Sequence, residues 1–178
     1  MFIYIGSNKK VKTACKLANE IVLHSAEFKE HIINKDSYDM TEPSDLKADI
    51  VHQSMCNLLY ERDVIVKVYY PWYRFSKALG YFSKDRPFDI NLNGYKLKRS
   101  TGSIVSTLVH ELVHMCDNLD NDHYYGHGDN SKKGKENTMP YYIGYAAGRY
   151  LDVNIDKAEN YTYKKKTSLF TKFKKLFI

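Results

Sequence analysis

An α+β domain with a small mixed sheet packed on helices is the fold this sequence predicts. Three observations predict it. The runs FIYI at 2–5, DVIVKVYY at 63–70 and FDINL at 88–92 are short, β-branched and aromatic, as strands are. Apolar residues recur at three- and four-residue steps elsewhere, as on amphipathic helices. The order β, α, α, β, hairpin, α, loop, α then gives a few strands in one region with helices on both sides of it in sequence, rather than a regular βα alternation. With 178 residues there is room for one domain, assigned to 1–160, and a distinct tail, 161–178.

The elements follow in order. Residues 2–5 form a first strand, closed by Gly6-Ser7-Asn8. From Lys9 to about Ile33, Val11, Cys15, Ala18, Val22 and Ala26 make a helical stripe that Leu17, Ile21 and Phe28 widen. Residues 34–43 are polar and turn-rich. Ser44 can cap a second helix from Asp45 to Glu61. Residues 63–70 form a strand, and Pro71 ends it or puts it on an edge. Residues 72–86 read as irregular, and FDINL then passes through Asn93-Gly94, a strong hairpin signal, into YKLK. A helix from about Gly102 to Asn118, with Thr101 or Ser100 as its cap, precedes a polar loop over 119–140. Loops of that length inside compact domains are usually functional. A last helix follows Pro140 through Ile143, Ala146, Ala147, Tyr150 and Leu151.

The composition, 43% hydrophobic and 27% charged, is that of a globular protein and excludes a mainly disordered chain, a coiled coil or a collagen-like repeat. A chain of this size buries roughly 70% of its unfolded surface and folds without disulfides. Cys15, Cys56 and Cys116 form no metal-like pair, and their odd number argues against a disulfide framework. The opening MFIYIGSNKK has too short an apolar run for a signal peptide, and no stretch reaches the 18 apolar residues of a membrane span. A cytoplasmic location is the expectation; delivery elsewhere by a non-cleaved route would leave the same sequence. The net charge of +6 equals the six lysines of the tail, Lys164, Lys165, Lys166, Lys172, Lys174 and Lys175, so residues 1–160 are formally neutral. A broad nucleic-acid-binding face is not demanded by that balance.

Residues 110–114 read His-Glu-Leu-Val-His, the HExxH pattern of zinc metallopeptidases. On an α-helix, i and i+4 share a face, so the imidazoles of His110 and His114 can reach one ion. Glu111 sits one step round and can act as general base toward a water at the open coordination position. The apolar run Ile104-Val105-Ser106-Thr107-Leu108-Val109 before it suits a buried helix, and His110, His114, His123 and His127 fall close together. Catalytic zinc keeps three protein ligands. His127 is the preferred third, because Gly126 and Gly128 let the backbone turn sharply beside a metal. His123, Asp117 and Glu136 remain alternatives. Asp117 shares the helical face of the two histidines and can ligate or orient an imidazole. Cys116 points away and reads as core. An oxyanion donor is expected from Tyr141, Tyr142 or Tyr145, or from Tyr124 or Tyr125. FDINL is the candidate edge strand for aligning a substrate.

His110-Glu-Leu-Val-His114 followed by Gly126-His127-Gly128 resembles the zincin metallopeptidases, most closely the SprT-like group, which pairs HExxH with a downstream glycine-flanked histidine. The resemblance covers roughly residues 88–150. It implies a zincin-like domain, Zn²⁺, a helix-borne HExxH, an edge strand above the cleft and hydrolysis of peptide bonds. The chain departs from the group in the short interval from His114 to His127, in Asn130-Ser131 after the glycine pair, and in lacking a Cys-rich zinc ribbon. Repair of DNA–protein crosslinks is therefore not carried over. Asp117 stands where a metzincin would have glycine.

In the tail, Leu169, Phe173, Leu176 and Phe177 would share one face of a helix and the lysines another, the pattern of a basic amphipathic segment. An anionic membrane surface or an acidic partner fits residues 164–178, with nucleic acid a lesser candidate. The expected function is a zinc-dependent peptidase acting on a protein or peptide, with His110, His114 and His127 as ligands and Glu111 as base. The rival is a non-enzymatic, metal-containing module that docks a membrane or partner through its tail.

Overall fold

The structure is a computed structural model that describes residues 1–33, 47–73, 76–126 and 138–162, with side chains in the last stretch described through residue 152. Five helices and a four-stranded mixed sheet make up these residues, an α+β architecture. The strands are β1 (Phe2–Tyr4), β2 (Val64–Tyr69), β3 (Gly80–Ser83) and β4 (Arg86–Asn93). Their order is β1-β2-β4-β3, with β1, β2 and β4 parallel and β3 antiparallel at one edge. Val64, Val66, Ile90 and Leu92 point into the core, as the period of two requires. Lys67 pairs with Asp89 across the other face at 2.5 Å.

The first helical stretch is two helices, α1 (Lys9–His24) and α2 (Ala26–Ile33). Ser25 breaks it: its backbone is extended, and its hydroxyl accepts the amide of Phe28 at 3.0 Å, a cap that starts α2. The third helix, α3 (Ala48–Glu61), leads into β2. The expected cap Ser44 and the polar stretch around it lie outside the described residues.

Three expectations are corrected around the sheet. Residues 80–83, read as irregular, form the edge strand, and the hairpin turns at Lys84-Asp85 rather than at Asn93-Gly94. FDINL lies inside β4, flanked by β2 and β3, and is not an edge. With both of its neighbours in place, β4 has no free side for a YKLK strand. Asn93 instead starts a 3-10 turn (Gly94–Lys96), its side chain accepting the amide of Tyr95 at 3.1 Å. The same buried side chain donates to the carbonyl of Ala78 at 3.0 Å, and the Asn93 amide donates to Leu79, which seats the entry to β3. Pro87 falls before β4 begins to pair with β2 at Asp89, where its missing amide costs no ladder bond.

The helix α4 (Thr101–Leu119) runs through the centre of the molecule. Ser100 caps it, accepting the amide of Ser103 at 3.0 Å. Ile104, Val105, Leu108, Val109, Leu112, Val113 and Met115 are fully buried. The last helix, α5 (Met139–Thr162), packs along it, with Pro140 in the first turn where its lost amide is tolerated. The two backbones meet at small residues. A Cβ at Gly144 would lie 2.8 Å from the carbonyl oxygen of Ser106 and 3.0 Å from Cβ of His110. No helix among the described residues is long and apolar enough to cross a membrane.

Gly144→Ala should therefore destabilise the chain by about 1–2 kcal/mol through overpacking, although alanine is the better helix former. Thermal melting checks this; a higher melting temperature would show that the helices do not meet so closely.

Candidate functional site

His110, Glu111 and His114 all lie on α4, within the segment where it passes between α5 and the edge of the sheet. The rings of His110 and His114 are half-buried and neighbours, with centroids 4.9 Å apart at 71°. That is the i, i+4 stacking expected of one helix face. Tyr141, from the first turn of α5, sets its ring edge-on against His110 with centroids 4.5 Å apart. The missing side chain at Gly144 is what lets α5 come this close.

Glu111 points toward the sheet and is 8% exposed. Its Oε2 accepts the backbone amide of Phe82 at 3.1 Å. Phe82 is in β3, whose other side pairs with β4, so this amide belongs to the free edge of the sheet. Burial pushes the Glu111 carboxyl up to about 7, and the Phe82 amide pulls in the other direction. A carboxyl so placed exchanges a proton near neutral pH, which suits a general base or acid. Beside it, Tyr69 and Tyr81 pack edge-on, 5.0 Å between centroids. Burial raises the Tyr69 phenol, with Tyr81 and the charge of Glu111 adding to it.

Asp117 lies at the end of α4, and its Oδ1 accepts the amide of Tyr125 at 2.6 Å. Gly126 packs beside the same carboxylate, where a Cβ would meet Oδ2 at 2.6 Å. The carboxylate thus ties the chain after the helix back onto it, one turn beyond His114. His127, the next residue, and Glu136 lie outside the described residues, as do Gly128, Asp129 and the tail 164–178. His123 stands apart on the loop, half-exposed, with Nδ1 3.3 Å from the carboxylate of Asp120.

Among the tyrosines, the hydroxyl of Tyr142 donates to the carbonyl of Ile32 at 2.8 Å and the residue is buried. It fastens α5 to α2, so the hydroxyl expected as an oxyanion donor is engaged with the Ile32 carbonyl. Tyr125 is buried, whereas Tyr124 and Tyr145 are exposed. Cys116 is buried, in keeping with its reading as core.

Among the described residues, no group of three or more His, Cys, Asp or Glu side chains is gathered to hold a metal ion. The donors brought together are the two imidazoles. Their chemistry fits Zn²⁺, for which histidine nitrogen is a preferred ligand, with a carboxyl next to them and not among them. Comparison with known protein families, curated proteins and solved structures gives no match.

The residues that the sequence did not reveal are Phe82, Tyr69 and Tyr81. The strand that carries two of them is four residues long, too short for its alternation to stand out from turn-rich surroundings.

A buried carboxyl has a consequence for the metal-free protein. The folded-state value near 7 exceeds the ordinary 4.5, so the folded chain binds the extra proton between those pH values. Stability should fall as pH rises from 4.5 to 7 and stay low above it. With a chelator present, Glu111→Gln should be close to neutral at pH 4.5 and stabilising by about 2–3 kcal/mol at pH 8. Denaturant titrations at the two pH values measure this; equal effects at both would mean the carboxyl is not desolvated.

Proposed function

We propose that the chain is a zinc-dependent metallopeptidase with a zincin-like domain. The observation that carries this reading is the bond from the Phe82 amide to Glu111. It sets the glutamate of the HExxH segment against the open edge of a sheet, where an extended peptide can add as a further strand.

His110 and His114 would hold the ion, with His127 as the third ligand. The tether of the Tyr125 amide to Asp117 supports His127, because it starts the segment that contains this residue one turn from His114. When bound, Zn²⁺ would supply Lewis-acid polarisation of the carbonyl and of a water. Glu111 takes a proton from the attacking water and delivers it to the nitrogen of the departing amine. In the metal-free chain burial raises this carboxyl. The outer side of β3, next to the Phe82 amide that Glu111 holds, would align the peptide backbone so that the scissile bond faces the helix. Tyr141, whose ring rests on His110, is the hydroxyl donor best situated to bond the developing oxyanion.

Glu111→Gln should keep the fold and the metal but lower turnover on a peptide library by at least about a hundredfold, the usual scale of general-base catalysis. Near-native turnover at matched metal content would defeat the mechanism. His127→Ala should weaken zinc binding by more than about a hundredfold, beyond the loss expected of an outer partner, and His123→Ala should leave it unchanged. The reverse order in a chelator competition would make His123 the ligand.

A further inference from the structure

We propose that the end of the sheet opposite the β3–β4 hairpin is a docking surface for an anionic lipid bilayer, independent of the tail. Parallel pairing of β1, β2 and β4 brings their carboxyl ends to one side of the molecule, together with the amino end of β3. Large apolar side chains emerge there into solvent: Ile5, Tyr70, Trp72, Tyr73, Leu79 and Tyr95. Trp72 is 97% exposed and Ile5 80%. A soluble surface rarely gathers such residues without a partner. Tyr70 and Tyr95 pack edge-on, with centroids 5.2 Å apart, and Trp72 leans on Tyr73 at 6.3 Å.

Basic residues dominate the strand ends and turns here, and Asp152 of α5 lies beside Gly102 at the start of α4. Residues 5–10, 69–73, 76–80 and 93–99 contain no Asp or Glu. Lys9, Lys77 and Lys98 are exposed there, and Lys96 is half-exposed. Lys10, Lys96 and Lys98 line a shallow groove of about 600 Å³ beside Tyr95. The opposite end of the sheet is mixed, with Glu61, Asp63 and Asp85 beside Arg62, Lys84 and Arg86. Tryptophan and tyrosine with a surround of lysine is the composition that settles at the boundary between headgroups and acyl chains. Exposed aliphatic Ile5 and Leu79 favour lipid over single-stranded nucleic acid, which would stack its bases on open ring faces.

Trp72 is the sole tryptophan, so its fluorescence reads this surface alone. The full chain should bind vesicles of phosphatidylcholine with 30 mol% phosphatidylglycerol, its emission moving to the blue and being quenched by brominated acyl chains. Lys9→Gln and Lys98→Gln should each weaken binding about fivefold, and Trp72→Ser at least about tenfold, with melting temperatures unchanged. Lys84→Gln, at the other end of the sheet, should change nothing. Vesicle binding that leaves Trp72 emission unaltered, and is insensitive to Lys9→Gln, Lys98→Gln and Trp72→Ser, would overturn the proposal in favour of the tail. So would the absence of vesicle binding, or an emission response to single-stranded RNA and not to lipid.

Discussion

One carboxyl group, buried on the central helix α4, sets the terms for the rest of the molecule. Glu111 is 8% exposed and bonded to the amide of Phe82 at 3.1 Å. A group of this kind is costly to bury unless it has a partner or carries a proton. The fold provides the partner by running a short antiparallel strand along the edge of an otherwise parallel sheet. Asn93 makes that strand possible, since its buried side chain and amide hold residues 78 and 79 in place. Remove the edge strand and the carboxyl loses its donor; remove the carboxyl and the edge loses the group that faces it.

The second requirement is that α4 and α5 lie almost in backbone contact. Gly144 meets Ser106 and His110, and Gly148 meets Ser106 and Gly102. Small residues along both helices give a seam that larger side chains would force apart. The seam has a chemical effect, because it brings Tyr141 onto the face of His110 while the next residue, Tyr142, turns to α2 and is spent on the carbonyl of Ile32. Two adjacent tyrosines thus have different fates, set by the 100° step of the helix.

The sequence made the buried helix legible because the aliphatic residues before His110 repeat at helical spacing and Ser100 stands at the start. The histidine pair follows from i, i+4 geometry alone. The α+β class was legible for the same reason, from strong strands such as VIVKVY and from long helices. What the sequence hid depends on contacts between distant residues. Ser25 breaks a helix whose apolar stripe runs on through Phe28, and only its hydroxyl bond to the Phe28 amide reveals why. Asn93-Gly94 has the chemistry of a hairpin turn, but β4 is already paired on both sides, and the chain takes a 3-10 turn instead. The edge strand Gly80–Ser83 is too short to announce itself, so the partner of Glu111 was unreadable although Glu111 was not.

The measurement that tests the proposed peptidase site most directly is X-ray absorption at the zinc edge on the purified chain. The expected result is one zinc per chain, bound by histidine nitrogens at about 2.0–2.1 Å, with a water oxygen completing the shell. A protein that takes up no zinc, or a shell closed by four protein donors, would contradict it.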